Sequence, residues 1–428
     1  MTDWNRVRRS RRNFGLNASV GLGTLAIAMA WAPSAGAQDA LQSFLSQDTL
    51  TGDWGGLRTK AENAGLTIQG NYQTDLLGNP TGGIRERFAY AGLMGISVDA
   101  DLDKLAGLKG TSFLISGWWA SGDDLSGDDI GNAIDVSQVF NGDAVRLGEM
   151  YLQQQLFDSK LTFSIGRIAP ANTFATADIY GSYVNSGVNS EPFALPGNVP
   201  VFFTDPFAAW GAQAIVQPTD PFHVGVGVYN ADGKVANDSE NGVRFKLNPE
   251  DGVLTVAETG YQWQQADGDT GLPGSATFGG YYDSSDYDFV DGSNRDRGGN
   301  YGFYLQLQQM VYREGDPGSD EGLTPWVVFT LAPDEKVNTF PFSFSGGAVY
   351  KGLIPSRSDD LTAAAVYVGH FSNDLDDQNT ETVVEVNHRL QLTPFFYVTP
   401  VFQYVFRPSG NSDIDDASVV GAEISIDF

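Results

Sequence analysis

Apolar and polar positions alternate along this chain with a period of two. In the segment from Leu66 to Leu76 (LTIQGNYQTDL), one alternating set contains mainly leucine, isoleucine and tyrosine, whereas the other contains threonine, glutamine, asparagine and aspartate. Successive side chains of a strand point to opposite faces, so the segment predicts a β-strand with one apolar and one polar face. A soluble sandwich and a membrane barrel both use such strands, and strand number and length must separate them.

The alternation recurs in sixteen segments, many of them 9–13 residues long. That length exceeds the soluble average of about 5–6 residues and suits a tilted crossing of the bilayer. An even number suits an up-and-down barrel with both ends in the periplasm, and a barrel of this size encloses an aqueous channel. The prediction is an all-β, transmembrane, antiparallel up-and-down barrel of about sixteen strands. The predicted strands lie near residues 66–76, 89–101, 111–120, 144–157, 161–168, 209–217, 222–230, 252–263, 276–284, 300–312, 323–331, 344–352, 361–371, 379–391, 395–406 and 417–428, and the strand-like stretch 243–248 is assigned to a loop.

The connections between these segments alternate between short and long. The tight ones are rich in turn residues, and the long ones predict extracellular loops opposite short periplasmic turns. The longest, 169–208, is predicted to fold inward and narrow the channel. The tight connections include 158–160, 218–221 and 393–394, and the long ones are 121–143, 169–208, 231–251 and 285–299.

The N-terminus predicts a cleavable export signal. Residues 1–15 carry five arginines against one acid, an uncharged and mostly apolar run follows over 18–32, and Ala35-Gly36-Ala37 provides a small-residue cleavage site. The apolar run is shorter than the roughly 20 residues of a spanning helix. The pair Arg11-Arg12 resembles a twin-arginine signal, but that route exports folded proteins, and ordinary signal charge is favoured. Residues 1–37 are therefore expected to be removed.

The remaining chain divides into two predicted parts. Residues 38–65 form an N-terminal periplasmic segment in which Asp53 caps a short helix near 55–63, and a disordered leader is the alternative. Residues 66–428 form the outer-membrane barrel. No Pro- or Ser-rich linker interrupts this length, and 51 glycines are spread along the chain. One large sheet accounts for that composition better than several soluble domains.

The charge of the chain excludes one class of partner. Lysine and arginine number 25 against 53 aspartates and glutamates, for a formal net charge of −28. Nucleic-acid binding needs clustered cations for the phosphates, so nucleic acid is not an expected partner. The chain contains no cysteine, so disulfides do not hold it together.

The last strand carries a feature of barrel assembly. In Ser418–Phe428 (SVVGAEISIDF), Val420, Ala422, Ile424, Ile426 and Phe428 share one face. A final strand that ends in a terminal aromatic resembles the signal read by the barrel-assembly machinery, which is thus an expected partner together with outer-membrane lipids. Aromatics at strand ends are typical of the interfacial girdles of such barrels.

Several motifs resemble the carbohydrate-selective porins of the OprB family. The resemblance covers most of the mature chain and implies a sixteen-stranded barrel in the bacterial outer membrane that passes sugars, with glucose as the family's usual association. The motifs that carry it are 50–58 (LTGDWGGLR), 75–80 (DLLGNP), 210–212 (WGA), 216–220 (VQPTD), 227–230 (GVYN), 350–355 (YKGLIP) and 392–394 (LTP).

A sugar channel needs hydrogen-bonding groups and flat apolar faces rather than catalytic groups. Arginine provides several fixed donors and stays charged, and aromatic rings provide the faces. The constriction candidates are Arg85 and Arg87 after the first strand, Arg146 on the fourth strand and Arg167 at the mouth of the longest loop. The alternative for each is a structural pairing with a lumenal carboxylate.

The longest loop contributes further candidates. Its polar groups that could reach the channel are Asp178, Tyr180, Asn185 and Glu191. Its aromatics provide either stacking faces or anchors to the barrel wall, and anchoring is the commoner role. On a later strand, three residues on the less apolar face are predicted to line the lumen. The aromatics are Phe174, Tyr183, Phe193, Phe202 and Phe203, and the lumen-lining residues are Glu385, Asn387 and Arg389.

Three other functions compete with a sugar-selective channel. A general diffusion porin shares the whole architecture and differs only in selectivity. An outer-membrane lipid hydrolase needs a nucleophile and base in contact, but the three histidines, His223, His370 and His388, lie on different predicted strands and no hydrolase or cofactor motif occurs. An adhesin needs larger projecting loops. The acidic loop with Asp123, Asp124, Asp128 and Asp129 matches no EF-hand, and a solvated loop is favoured over a metal site. Monomer and homotrimer both remain open.

Overall fold

The computed structural model describes residues 35–236, 241–265 and 269–428. Most of the predicted export signal, residues 1–34, lies outside the described residues. Its last three residues begin the first helix, α1, Ala35–Leu45. Helix α2 follows at Leu57–Ala64, and two five-residue helices lie in connections, α3 at Leu102–Ala106 and α4 at Ala194–Asn198. No helix within the described ranges is long and apolar enough to cross a membrane.

Sixteen antiparallel strands of the described chain close into a barrel, as the alternation predicts. Each strand pairs with its neighbours in sequence, and the first strand also pairs with the last, so the sheet has no free edge. Residues Tyr312–Arg313 resume the tenth strand after a break at 310–311. The strands are β1 Leu66–Thr81, β2 Phe88–Asp101, β3 Thr111–Gly122, β4 Ala144–Leu156, β5 Leu161–Ile168, β6 Ala209–Thr219, β7 Phe222–Asn230, β8 Val253–Trp263, β9 Gly274–Asp288, β10 Asp296–Gln309, β11 Gly322–Leu331, β12 Phe342–Lys351, β13 Leu361–His370, β14 Thr380–Thr393, β15 Phe396–Phe406 and β16 Ala417–Asp427.

The two faces of the wall differ as the sequence predicts. On β7, Val224, Val226 and Val228 are exposed on the outer surface, whereas the alternate residues Gly225, Gly227 and Tyr229 are buried inside. An outward apolar band with an inward polar or small-residue face is the arrangement of a barrel that meets lipid.

The connections are short at one end and long at the other. The periplasmic end carries the tight turns, such as 220–221 between β6 and β7, and the extracellular end carries 123–143, 169–208 and 231–252. The predicted length of the loop 285–299 is wrong. β9 and β10 continue past their predicted ends, so the connection contains only residues 289–295. Backbone pairs such as Tyr287↔Arg297 continue the ladder beyond the apolar alternation that marks the membrane span. The stretch 243–248 forms no strand, in agreement with its assignment to a loop.

The N-terminal segment lies at the end where β1 begins and β16 ends. Asp53 accepts hydrogen bonds from the backbone N–H and the hydroxyl of Thr59 in the first turn of α2, both at 2.8 Å, and these bonds hold the pKa of its carboxyl below the ordinary value. The backbone N–H of Leu50 donates to the Asp427 carbonyl of β16 at 2.8 Å. The ring of Phe44 in α1 contacts Phe395 in the turn between β14 and β15, with centroids 5.6 Å apart. The segment is therefore attached to the periplasmic end of the wall.

Candidate pore and its constriction

Two extracellular loops fold into the barrel instead of projecting from it. Inner loop 1 is residues 123–143, between β3 and β4, and inner loop 2 is residues 169–208, between β5 and β6. Ile134 of the first and Val184 and Phe202 of the second are fully buried. Inward folding of the longest loop confirms the prediction, whereas the inward course of 123–143 was not foreseen.

Buried glutamates of β14 bind the backbone of both inner loops. Glu381 accepts from the N–H groups of Ala133 at 2.9 Å and Ile134 at 2.7 Å. Glu385 accepts from Val184 and Asn185, both at 2.9 Å. A carboxylate offers several acceptor positions and binds N–H groups more strongly than a neutral acceptor does. Each glutamate thus fixes two consecutive peptides of a loop against the wall.

Two more glutamates bind inner loop 2 on the opposite side of the barrel. Glu258 of β8 accepts from the Ala175 N–H at 2.8 Å and from the Tyr304 hydroxyl at 2.7 Å. Glu149 of β4 accepts from the Ala169 N–H at 2.9 Å. Together with Glu385, these contacts attach inner loop 2 to three separate places around the lumen.

The two inner loops also bind each other. The side-chain amide of Gln138 in inner loop 1 donates to the Tyr183 carbonyl at 2.7 Å, and the Ser186 N–H donates to the Asp135 carbonyl at 2.9 Å. Gln403 of β15 joins both, since its amide donates to the Val136 carbonyl and its oxygen accepts from Asn185, each at 2.8 Å. The loops therefore form one body inside the barrel.

The aromatics of inner loop 2 anchor it to the wall. Trp326 of β11 donates its indole N–H to the Tyr183 hydroxyl at 2.7 Å, and their rings meet edge to face. A Cβ at Gly227 of β7 would lie 2.7 Å from the ring of Phe174, so glycine is needed for this close approach. Because Phe174, Tyr183, Phe193 and Phe202 are all buried, the structure gives these rings the anchoring role rather than free stacking faces.

Two predicted constriction arginines lie at the extracellular rim. Arg85 binds Asp129 of inner loop 1 through its guanidinium, and its backbone N–H donates to the Asp129 carbonyl at 2.9 Å. Arg87 lies 3.9 Å from Asp123, and both side chains are exposed. Arg85 therefore attaches inner loop 1 to the first hairpin, while its exposed half remains available at the entrance.

The other two predicted arginines are almost fully buried. Arg146 lies on β4 with its guanidinium 4.9 Å from the centre of the Phe207 ring. Arg167 is the second-last residue of β5, where it pairs in register with Trp210 of β6, and its Nε donates to the Gly148 carbonyl at 3.5 Å. The face it shares with the exposed Ile165 is the outer face of the wall, so the structure does not bring Arg167 to the lumen.

The polar candidates of inner loop 2 are distributed differently. Asp178 is exposed at the start of a 3₁₀ turn. Tyr180 is buried, and its hydroxyl accepts from the Gln306 side chain of β10 at 2.8 Å. Glu191 is also buried, in a two-residue hairpin formed by Val188–Asn189 and Glu191–Pro192, and burial raises the pKa of its carboxyl well above the ordinary value. Whether any of them contacts solute stays a prediction.

The structure confirms that the three predicted residues of β14 point inward, but Glu385 and Asn387 are buried against inner loop 2 instead of lining an open lumen. Below Glu385, the Asn387 amide donates to the Ser182 carbonyl at 3.0 Å, and Arg389 donates to the Gly181 carbonyl at 2.6 Å. Successive inward positions of one strand thus follow the backbone of inner loop 2.

A polar and aromatic patch surrounds Arg389, and its other three members were not singled out from the sequence. The Arg389 guanidinium lies 4.1 Å from the centre of the Tyr397 ring on β15. The Tyr397 hydroxyl lies 3.5 Å from the Gln73 amide of β1 and 3.4 Å from the Glu423 carboxylate of β16. We call Gln73, Arg389, Tyr397 and Glu423 the lumen patch. In the sequence, these residues stand out only by lying at the inward-facing alternate positions of their strands, and many other residues share that feature.

The lumen widens at the periplasmic end. A cavity of about 830 Å³ lies between the N-terminal segment and the lower wall, with Arg58, Glu62, Asn71, Trp118 and Asp427 among its lining residues. The lining therefore combines a guanidinium, two carboxylates, an amide and an indole. Within the described ranges, no cluster of three His, Cys, Asp or Glu residues could hold a metal ion.

Comparison with known proteins identifies a family over most of the chain. The family model described as carbohydrate-selective porin, OprB family, matches residues 85–428. Porin B of Pseudomonas aeruginosa is 26% identical, with 89% of this chain and 91% of the relative covered. The putative porin QuiX of Acinetobacter baylyi is 25% identical, with 90% and 94% covered.

Solved structures share the architecture. The high-pH structure of Pseudomonas putida OprB superposes with a TM-score of 0.80 at 24% identity, covering 90% of this chain and 99% of that one. The low-pH structure of the same protein gives a TM-score of 0.61 at 21% identity with the same coverage. At these identities the likeness shows the fold, a closed antiparallel barrel.

Proposed function

Because this chain belongs to the OprB family of carbohydrate-selective porins, we propose that it admits glucose-type monosaccharides through a lumen narrowed by the two inner loops. The family places the protein in the bacterial outer membrane as a channel for passive diffusion. The narrower statement, that a monosaccharide is selected beside the inner loops, is the proposal, and a general diffusion pore is its alternative.

The lumen patch carries the proposal. A sugar ring offers hydroxyl groups that both donate and accept, and C–H faces that pack on aromatic rings. Arg389 provides donors and Tyr397 provides ring surface beside it, while the buried Glu423 lies 3.4 Å from the Tyr397 hydroxyl and holds that ring in place. Arg389 also binds the Gly181 carbonyl of inner loop 2, so the patch lies at the edge of the narrowed region. A solute that passes the loops meets these groups in one place.

A catalytic role is not part of the proposal. The family is a family of channels, and diffusion requires no nucleophile. We also propose that sugars are the protein's small-molecule partners, that outer-membrane lipid surrounds the barrel, and that the barrel-assembly machinery inserts it. The choice between monomer and homotrimer is left to measurement of mass in detergent.

The proposal is tested by swelling of liposomes that contain the refolded protein. Glucose is compared at equal osmolarity with amino acids and organic acids of similar size, and the ratio of the rates measures selectivity. We expect glucose to enter faster, and Arg389→Gln to lower the ratio by about fivefold, the value of one hydrogen bond. Arg295→Gln, at an exposed cation in the turn between β9 and β10, is the matched control and should leave the ratio unchanged.

The opposite outcome has a clear meaning. Entry ranked by size alone in the unaltered protein would reject sugar selection and favour a general diffusion pore. A selective protein whose ratio is the same with Arg389→Gln would keep the sugar channel but remove the lumen patch from its mechanism. Arg85→Ala would then be tested as a selecting group at the extracellular entrance.

A further inference from the structure

The cavity at the periplasmic end of the lumen has the size of a small-molecule site. Its volume of about 830 Å³ falls within the range of such sites, roughly 300–1,000 Å³. The lower parts of β1, β2 and β3 border it on one side, and α2 of the N-terminal segment borders it on the other. Its wall combines an aromatic ring with neutral polar groups.

Trp118 provides the aromatic surface of this wall. It lies on the inward face of β3, in register with Gly95 of β2, whereas its neighbour Trp119 points outward and is 47% exposed. A Cβ at Gly95 would lie 2.5 Å from the indole ring of Trp118, so glycine allows the ring to lie across the inner surface of β2. The side of the indole that does not rest on the wall therefore faces the cavity.

Neutral polar groups lie beside the indole. Asn71 of β1 pairs in register with Gly95, and its side-chain amide donates to the Asp427 carboxylate at 2.7 Å. Two residues earlier on β1, Gln69 shares the inward face, is exposed and also lines the cavity. Ser97 of β2 lies opposite Gln69 in register. Carboxamides and hydroxyls both donate and accept hydrogen bonds, so this wall can bind the hydroxyl groups of a sugar in either sense.

These groups lie next to the lumen patch and below inner loop 2. Asn71 is two residues from Gln73 of the lumen patch, on the same face of β1. Trp118 pairs in register with Arg146 of β4, whose guanidinium lies 4.9 Å from the centre of the Phe207 ring in inner loop 2. A solute that leaves the narrowed region therefore meets the indole and the amides next.

The charges around the cavity favour a neutral ligand. Among the described residues that line it, four are carboxylates and one, Arg58, is a cation. The Arg58 guanidinium donates to the Thr49 hydroxyl at 2.9 Å and so binds within the N-terminal segment. An anion would be repelled by the unbalanced negative charge of this lining. The four carboxylates are those of Asp48, Asp53, Glu62 and Asp427.

We propose that this cavity is a second sugar site, in which a neutral pyranose packs one C–H face on the Trp118 indole and forms hydrogen bonds with Gln69 and Asn71 on its way to the periplasm. The inference rests on the proposed function, since only a channel that admits sugars delivers them to this space. One ring contact and a few hydrogen bonds between neutral groups hold the sugar weakly, so its release stays fast.

Photo-crosslinking tests where the sugar binds. The full-length protein in liposomes is irradiated with a diazirine derivative of glucose, and the labelled peptides are identified by mass spectrometry. We expect label on β3 around Trp118, in addition to label on β14 and β15 at the lumen patch, and we expect excess glucose to suppress both. Gluconate, an anion of similar size, should compete less well than glucose for the label on β3.

Two substitutions in the wall separate this site from the lumen patch. Trp118→Leu should raise the glucose concentration that halves the label on β3 by about fivefold, as expected for loss of one aromatic contact. Gln69→Ala removes an exposed side chain, should raise that concentration by about threefold, and gives the same test if Trp118→Leu does not refold. Neither variant should change the concentration that halves the label on β15.

Trp119→Leu is the matched control, because it removes an indole from the neighbouring position that faces away from the lumen. Its labelling should equal that of the unaltered protein. Glucose-protected label on β15 without any on β3, or an unchanged half-protecting concentration on β3 in both wall variants, would overturn the second site and leave the sugar channel intact. Equal competition by gluconate would overturn the assignment to a neutral sugar. Label that glucose displaces at neither place would reject the second site and the proposed function together.

Discussion

The extracellular and periplasmic halves of the lumen are built differently. In the extracellular half, inner loops 1 and 2 bury apolar cores, and the carboxylates of Glu381 and Glu385 bind successive backbone N–H groups. In the periplasmic half, a cavity of about 830 Å³ separates the wall from the N-terminal segment. One half is packed like a protein interior, and the other is open.

This difference separates two tasks that a selective channel must perform. Discrimination requires solute contacts that do not move, and buried, charge-assisted hydrogen bonds give the inner loops that rigidity. Rapid exit requires space, and the periplasmic cavity provides it. The lumen patch lies at the boundary, where the immobile loops meet the wider space.

Release of inner loop 2 from β14 should have the largest effect, because it would remove the packing that distinguishes the extracellular half of the lumen from the periplasmic half. Glu385→Ala leaves the N–H groups of Val184 and Asn185 buried without acceptors, at a cost of about 1–3 kcal/mol each. We expect the loop to leave its packed position, so that single-channel conductance in planar bilayers rises and the glucose preference in swelling assays is lost.

Glu385→Gln is the matched control for that experiment. The amide retains one acceptor oxygen at the same place, so conductance should stay closer to that of the unaltered protein. An unchanged conductance in Glu385→Ala would mean that the remaining attachments, at Glu258 and Glu149, hold inner loop 2 without β14.

Loosening the contact between the inner loops should have a smaller effect. Gln138→Ala removes the amide that donates to the Tyr183, Asn185 and Val188 carbonyls, while the wall glutamates remain. We expect the free energy that holds the two inner loops together to fall by about 1 kcal/mol. The ion current should therefore become noisier, while the mean conductance stays nearly unchanged. Gln155→Ala, at an exposed glutamine near the periplasmic end of β4, is the control.

The lumen patch should contribute a still smaller and solute-specific effect. Tyr397→Leu removes the ring beneath Arg389, an interaction of about 0.5–1 kcal/mol at a partly exposed site. We expect weaker block of the ion current by added glucose, with conductance in its absence almost unaltered. Tyr397→Phe keeps the ring and should retain most of the block. Equal loss in both variants would assign the effect to the hydroxyl.

The sequence predicted the barrel because its strands obey a simple physical rule. Alternation shows which face of β1 or β7 meets lipid, and turn residues show where strands end. The rule weakens above the membrane, where β9 and β10 continue without an apolar face, and the loop 285–299 was therefore predicted too long.

The interior of the pore was less predictable for a reason that Glu381 and Glu385 illustrate. A glutamate on the inward face gives the same sequence pattern whether it faces water or binds a loop. Arg167 shows the same limit, since its place beside the longest loop suggested the lumen and its pairing with Trp210 puts it outside. These contacts join residues far apart in sequence, and periodicity carries no information about them.

The N-terminal segment allows a test at the open, periplasmic end of the barrel, where we expect the smallest effect of the four. Asp53 is exposed and accepts from the backbone N–H and hydroxyl of Thr59, which lower the pKa of its carboxyl from 3.8. Because the pKa of Asp53 is lower in the folded state, its ionised carboxyl stabilises α2 at pH values above the pKa of the unfolded chain. This stabilisation is lost as the pH falls through the pKa of the folded state. Hydrogen exchange of α2 should therefore become faster, relative to unstructured peptide, when the pH falls from about 5 to about 2. Asp53→Asn should lose that pH dependence, while the inner loops should exchange slowly in both proteins. A pH response retained in Asp53→Asn would assign it to another carboxylate of the segment, such as Glu62.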